Sequence, residues 1–516
     1  MRQALDVKPP SRFEKLAHGV LSRYVTTAIG IVTSIILTPM LLFHLGREVY
    51  GLYAALGSIM AYLFVLEFGT GSAVPKYVAE LWAKNDAEGL NRLVSSFFFA
   101  FLALSLSLIL TALISLPLVP RVFKTSPELA STAEIVFFLT VVNFAIILPF
   151  STMGGLFFGT HRIYITYWLD GFFYALNLAS AYLALKLNYG LVGVSLGTLG
   201  ARILVVILLA WFAQTRCASV RFELSYFDWK VVKRVGTPSL YYFIIDLSSL
   251  IILSTDQLII SSFIGVAAVT AYSIAFRLWR IPAGLITTLS NVLLPYISEL
   301  DVYGNLPRLR DLYSKLTKYS LLLAMGVFAC VAAFGEKLIS LWVGPENFAG
   351  TAVLFCFGLM FPLHTIVGSS AQILIGMAQH KKLAWVLFSE GILNVGLSLL
   401  LLHHFGVLGV ALGTVIARLM TSFWFAPWYV CRILRQDFRE YLRDVGLTLI
   451  PFVPSFGFAV IVRQWSASPF LIIFGGSLAT CATYLAFFSR LSLSRAERQG
   501  WWDRVTALAA RGASAT

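Results

Sequence analysis

Charge is what this chain has least of. Only 12% of its 516 residues are Asp, Glu, Lys or Arg, against roughly a quarter in ordinary soluble domains. With 58% of the residues hydrophobic, a water-filled surroundings on all sides is excluded. Cysteine is scarce too: Cys217, Cys330, Cys356, Cys431 and Cys481 are scattered without metal-ligand spacing. They predict neither a disulfide framework nor a metal site, and they read as small packing residues. No Gly-x-x-x-x-Gly-Lys-Ser/Thr phosphate cradle occurs, so the chain has no visible means of hydrolysing a nucleotide. Breaks poor in basic residues never exceed about 15 residues, which leaves no room for a separate outer domain. An enzyme would need an acid pair or metal-ligand cluster on a sizeable loop, and none is found, so no enzyme, cofactor or metal is expected.

What is abundant is apolar sequence. Stretches of about 20 residues, each long enough for a hydrocarbon core of roughly 30 Å, recur from Tyr24 to Phe488 with short polar breaks. About fourteen such stretches predict an all-α, polytopic membrane protein.

The stretches are duplicated. Gly46, Tyr53, Tyr77, Glu80 and Leu81 recur as Gly265, Tyr272, Tyr296, Glu299 and Leu300, a constant shift of 219 residues (265 − 46 and 300 − 81). GLVGVSLGTLGAR from Gly190 to Arg202 reappears as GVLGVALGTVIAR from Gly406 to Arg418, shifted by 216 (406 − 190). Parallel repeats of membrane helices predict two matching bundles with a substrate path between them. The expected layout is a cytoplasmic amphipathic segment over 1–23, a first lobe of six spans over 24–213 and a cytoplasmic linker over 214–237. A second lobe of six spans over 238–431, two additional spans over 432–489 and a cytoplasmic amphipathic tail over 490–516 complete it.

Lys and Arg concentrate at the N-terminus, in alternate breaks and in the tail. Cytoplasmic loops carry such an excess, so both termini are expected in the cytoplasm. The net charge of +14 is thereby a topology signal, and with no basic soluble face a nucleic-acid partner is not expected. The basic segment before the first span is long and lacks a small-residue cleavage site, so no removable signal peptide is predicted. Ser11 to Glu14 has a capping-box form, Asp228 is placed to cap a helix carrying Trp229, Val232 and Val235 onto lipid headgroups, and Trp501, Trp502, Val505 and Leu508 fit an interfacial helix.

Ionisable residues at mid-span cost about 2.5 to 3.5 kcal/mol on insertion scales, so they belong in a bundle interior or a water-filled cavity. Arg202 and Arg418 lie at matched depth in the repeat, and Arg277 and Arg280 share a helix face at i, i+3 spacing. Their guanidinium forks suit phosphate oxygens, which makes these four the candidate cations of a substrate cavity. The competing reading is that they pair with buried acids and hold the bundles together. Asp246, Asp256, Glu67, Asp170 and Glu390 are the acids available, and they are also candidates for ion coupling. Asp170 stands seven residues before Asn177 and Glu390 four before Asn394, so each acid shares a face with an amide. Glu80 and Glu299 sit at cytoplasmic helix ends, as a gate or as solvated ends, and His364 reads as a hydrogen-bonded core residue.

LLFHLGREVYGLYAALGSIMAYLFVLEFGTGSAVPKYVAEL, from Leu41 to Leu81, resembles the first block of bacterial polysaccharide-export flippases, which belong to the multidrug, oligosaccharidyl-lipid and polysaccharide exporter superfamily. GTPSLYYFIIDLSSLIILSTDQLIISSFIGVAAVTAYSIAFRL, from Gly236 to Leu278, is similar to the family's opening of the second bundle. The resemblance implies a flippase that carries undecaprenyl-diphosphate-linked oligosaccharide to the outer face of the bacterial cytoplasmic membrane, for O-antigen, capsule or exopolysaccharide synthesis. It also implies membrane lipids, a polysaccharide polymerase and export machinery as partners, and a site made of cavity cations and Asp256. Family members often carry Arg or Lys after that Asp, whereas Gln257 follows Asp256 here. A peptidoglycan-precursor flippase and a cation-coupled drug antiporter are the alternatives. An antiporter would want acidic cavity groups, against the mid-span balance of this chain.

Overall fold

The computed structural model describes residues 12–66, 70–217, 220–236, 240–465, 468–493 and 497–499. Glu67, Ser11 and the tail residues Trp501, Trp502, Val505 and Leu508 lie outside the described residues, as do the side chains of 12–20.

Two compact units divide the chain, Met1–Thr270 and Ala271–Thr516. The first holds α1 (Arg12–Val65), α2 (Thr70–Ala83), α3 (Ala87–Ser115), the single turn α4 (Val119–Val122), α5 (Ala130–Gly159), α6 (Tyr164–Lys186), α7 (Gly190–Arg216), α8 (Trp229–Gly236) and α9 (Leu240–Phe263). α10 (Val266–Asn291) runs across the division. The second holds α11 (Leu294–Val302), α12 (Leu306–Val343), α13 (Thr351–Gly376), α14 (Lys381–Phe405), α15 (Val407–Met420), α16 (Ser422–Leu434), α17 (Phe438–Leu449), α18 (Phe452–Arg463) and α19 (Gly476–Leu491). No strand occurs among the described residues. Helices close every backbone hydrogen bond within one segment, which hydrocarbon demands.

Among the described residues, twelve helices are long and apolar enough to cross a membrane. This measure does not reach the fourteen stretches expected, and the difference has two sources. Leu21–Val65 counts as one helix, although Gly46 (φ 79°, ψ 173°) breaks its helical geometry between the two stretches read from the sequence. α6 is left out, because Tyr, Trp, Asp170 and Asn177 dilute its apolar content.

The repeat is visible in the backbone. Gly46 (φ 79°) and Gly265 (φ 128°) both have positive φ, and so do Gly190 (φ 60°) and Gly406 (φ 58°). At these matched turns a side chain would be strained. Polar caps start several helices: Asp86 accepts from the Gly89 N–H at 2.8 Å, and Asn305 from that of Arg308 at 3.2 Å.

In the first unit, α5 packs against α3 and α7, and α1 against α6 and α9. Phe97, Phe144, Phe157 and Leu209 form part of one buried apolar cluster. α8 begins as expected, with Asp228 accepting from the Lys230 N–H at 2.8 Å, but it faces elsewhere. Val235 is 1% exposed within that same cluster, and Val232 packs on it. Of the three apolar residues expected on headgroups, only Trp229 is left outward. The protein core, rather than lipid headgroups, takes the apolar face, because α2 and α3 offer it a dry surface. In the second unit, α12 packs with α13 and also with α17, α18 and α19. Cys330 and Cys481 meet there with sulfurs 3.7 Å apart.

Candidate functional site

α1, α5, α6 and α7 enclose a cavity of about 220 Å³ in the first unit. Its polar wall includes Tyr53, Asn143, Asn177, Ser195, Thr198 and Arg202, and its apolar wall includes Met60 and Phe173. The Thr198 hydroxyl lies 2.8 Å from Asn177 Oδ1, which ties α7 to α6 at the cavity edge. Arg202 is half-buried, and its guanidinium carbon lies 3.8 Å from the centre of the Phe173 ring. A cation over an aromatic face is attracted to the ring's electron-rich quadrupole, but the ring gives it no acceptor. Asp170 acts on Arg202 electrostatically, without an ion pair among the described residues. Arg202 Nε and Asn143 Nδ2 are both buried with no hydrogen-bond partner among the described residues. Both are N–H donors, so what this wall lacks is acceptors.

The matched arginine of the second unit is fully engaged. Arg418 Nε donates to Glu390 Oε1 at 2.8 Å, with the two side chains 5% and 0% exposed. The Thr421 hydroxyl donates to Glu390 Oε2 at 3.2 Å. Arg418 Nη1 lies 3.1 Å from His364 Nδ1; a guanidinium only donates, so that ring nitrogen accepts. The His364 ring in turn meets the Trp279 ring edge-on at 5.4 Å. Asn394 Nδ2 donates to the Thr414 hydroxyl at 2.8 Å, the counterpart of the Asn177–Thr198 contact. Arg418 was expected as a cavity cation; here it sits in a closed ionic network, the competing reading of the sequence. His364 takes the hydrogen-bonded core role expected of it.

The remaining candidates scatter. Arg277 is half-buried and has partners within the protein, whereas Arg280 is exposed. The two share a helix face but not an environment. Asp256 is buried, with Gln257 beside it accepting from the Ser58 hydroxyl at 3.0 Å. Tyr62 and Thr255 are hydrogen-bonded nearby, so this stretch fastens α9 to α1. Asp246 is exposed. Glu80 is exposed and pairs with Lys84 at 2.8 Å rather than with Lys76, a contact that holds its carboxyl below the usual range. Glu299 is likewise exposed. The sequence did not single out Phe173, yet a signal existed: it stands four residues before Asn177 (177 − 173), as Glu390 stands four before Asn394 (394 − 390).

The family of polysaccharide biosynthesis proteins matches residues 16–301, more than half of the chain. The chain belongs to that family. The match takes in Arg202 and its cavity, while Glu390 and Arg418 lie beyond it. Among curated relatives, the chain is 20% identical over 480 residues to the uncharacterized membrane protein EpsK of Bacillus subtilis, covering 91% of this chain and 94% of EpsK. It is 22% identical over 430 residues to a putative O-antigen transporter of Salmonella typhimurium, covering 82% of this chain and 96% of the relative. Among solved structures, the lipid II flippase MurJ in an inward closed conformation aligns with a TM-score of 0.72 at 14% identity, over 91% of this chain and 98% of MurJ. At that identity the likeness establishes a shared fold. The protein is a multi-pass membrane protein of the polysaccharide biosynthesis family.

Proposed function

We propose that this protein is a flippase that carries undecaprenyl-diphosphate-linked oligosaccharide from the cytoplasmic to the outer face of a bacterial cytoplasmic membrane by alternating access. Its product would feed O-antigen, capsule or exopolysaccharide synthesis. Both termini face the cytoplasm in this reading, and a polymerase or export machinery takes the product. The observation that carries the proposal is the first-unit cavity, where Arg202 faces polar walls with no carboxylate in contact among the described residues. A diphosphate supplies the acceptors that this wall lacks, and Tyr53, Asn143 and Asn177 are neutral polar groups suited to sugar hydroxyls. Family membership and a relative named as an O-antigen transporter support the same substrate class. Of the other candidate cations, all in the second unit, Arg280 is exposed, Arg277 is half-buried with partners within the protein, and Arg418 is reassigned to structure.

The test is translocation of a purified undecaprenyl-diphosphate oligosaccharide in proteoliposomes, comparing wild type with Arg202→Gln. Transport by wild type and a loss of about tenfold or more in a folded Arg202→Gln, the scale of one charge-assisted contact, is the expected result. A wild type that moves no lipid-linked sugar but exchanges a cationic dye for protons would replace this reading with the antiporter.

A further inference from the structure

The repeat places two arginines at one position, and the side chains that face them differ. Four residues before the helix-tying asparagine stands Phe173 in the first unit and Glu390 in the second. Arg202 lies over the Phe173 ring, and Arg418 is paired with the Glu390 carboxylate. Thr421, whose hydroxyl also reaches Glu390, is matched in the first unit by Val205 at the repeat shift of 216 (421 − 205). The second unit therefore holds an anion on its arginine from within the chain, with a hydroxyl on the anion's other oxygen, whereas among the described residues the first unit puts neither group in contact with Arg202, and Asp170 acts on it only at longer range.

From this we infer that Phe173 is the specificity-determining residue of the first-unit cavity, and that Arg418 is a masked copy of the same anion site. The Glu390 carboxylate occupies, on Arg418, the place that a phosphoryl oxygen of the ligand takes on Arg202. Phe173 holds the guanidinium by its ring face without neutralising it, so the charge stays available to a diphosphate. A carboxylate at that position would satisfy the arginine internally and repel the ligand. The inference rests on the anion-site reading of the Arg202 cavity.

The probe is inorganic pyrophosphate, titrated at constant ionic strength into the full-length purified protein and followed by calorimetry and by thermal unfolding. Wild type is expected to bind at one site. Phe173→Glu is expected to lose about tenfold or more in affinity, the scale of one charge-assisted contact, while Phe173→Leu stays within about threefold of wild type, the lower end of what a cation–ring contact is worth. Glu390→Ala is expected to unfold at lower temperature and to recover when pyrophosphate fills the vacated position, with binding rising from one site to two. If Phe173→Glu binds as wild type does, or if Glu390→Ala is neither restabilised nor gains a site, the inference is overturned. Should Glu390→Ala not fold, the contrast between Phe173→Glu and Phe173→Leu decides alone. A wild type that binds no pyrophosphate overturns the anion-site reading itself, a distinct result from failure of the Phe173 contrast.

Discussion

Arg202 and Arg418 end matching repeats, GLVGVSLGTLGAR and GVLGVALGTVIAR, yet one lines a cavity and the other is sealed in an ion pair. The helices that carry them differ accordingly. α7 runs unbroken from Gly190 to Arg216, whereas the stretch after Gly406 is interrupted at Thr421 (φ −124°, ψ −97°), three residues beyond Arg418. Thr421 spends its hydroxyl on Glu390 and on the Ala417 carbonyl, so the break belongs to the ionic network. Duplication has preserved the position of the charge, and the residue opposite decides its use. An arginine in an apolar helix with an internal anion is structure; one resting on a ring has unspent charge.

The widest contrast should come from deleting the two facing side chains. Glu390→Gln leaves Arg418 buried without a counter-ion, and breaking one partner of a buried pair typically costs about 3 to 5 kcal/mol. Phe173→Leu removes a cation–ring contact worth about 0.5 to 2 kcal/mol and keeps most of the apolar volume. Chemical unfolding in detergent should therefore rank Glu390→Gln far below Phe173→Leu. The double change Glu390→Leu with Arg418→Met should recover most of the loss, since well-packed apolar residues often replace a buried pair at no net cost. Equal losses for Glu390→Gln and Phe173→Leu would mean that the two arginines are not differently held.

A smaller difference is expected where the helices touch. A Cβ on Gly413 would stand 2.7 Å from the Ser398 backbone nitrogen and 2.9 Å from its Cα, so α14 and α15 would have to separate. On Gly197 it would meet Ser180 Cβ and Oγ at 2.9 Å, with the nearest backbone atom, the Ser180 carbonyl carbon, at 3.5 Å. Overpacking costs about 1 to 3 kcal/mol, and Gly413→Ala should fall near the top of that range with Gly197→Ala near the bottom. Thermal unfolding of the two variants checks the order, and a reversal would place the tighter crossing in the first unit.

Much of this was legible before the structure. The two glycine pairs follow the repeat into positive φ, because a turn between spans recurs wherever the helices it joins recur. The matched places of Arg202 in α7 and Arg418 in α15 follow from the repeat, and the sharing of a face by Glu390 and Asn394 follows from helical periodicity. What was not legible is which face of one helix meets which face of the next. That rotation turned Arg418 onto Glu390, and it turned Val235 into the core instead of onto headgroups. Arg277 and Arg280 make the same point: periodicity puts them on one face, and neighbours that no spacing encodes leave one half-buried and the other exposed.

The finest version of the comparison is the hydrogen bond that both units share. The Thr198 hydroxyl donates to Asn177 Oδ1 at 2.8 Å and the Thr414 hydroxyl accepts from Asn394 Nδ2 at 2.8 Å, so the bonds are equal in length though opposite in direction. Their surroundings differ. Asn394 is 0% exposed, while Asn177 lines the cavity, where water can replace a lost partner. Thr414→Val should then cost about 1 to 3 kcal/mol, the penalty of a buried polar group left unsatisfied, whereas Thr198→Val should cost about 1 kcal/mol or less, the net worth of an exchangeable hydrogen bond. Thermal unfolding at matched detergent reads both. If Thr198→Val costs as much as Thr414→Val, water does not reach Asn177, and a cavity closed to water at that wall would also be closed to a polar substrate.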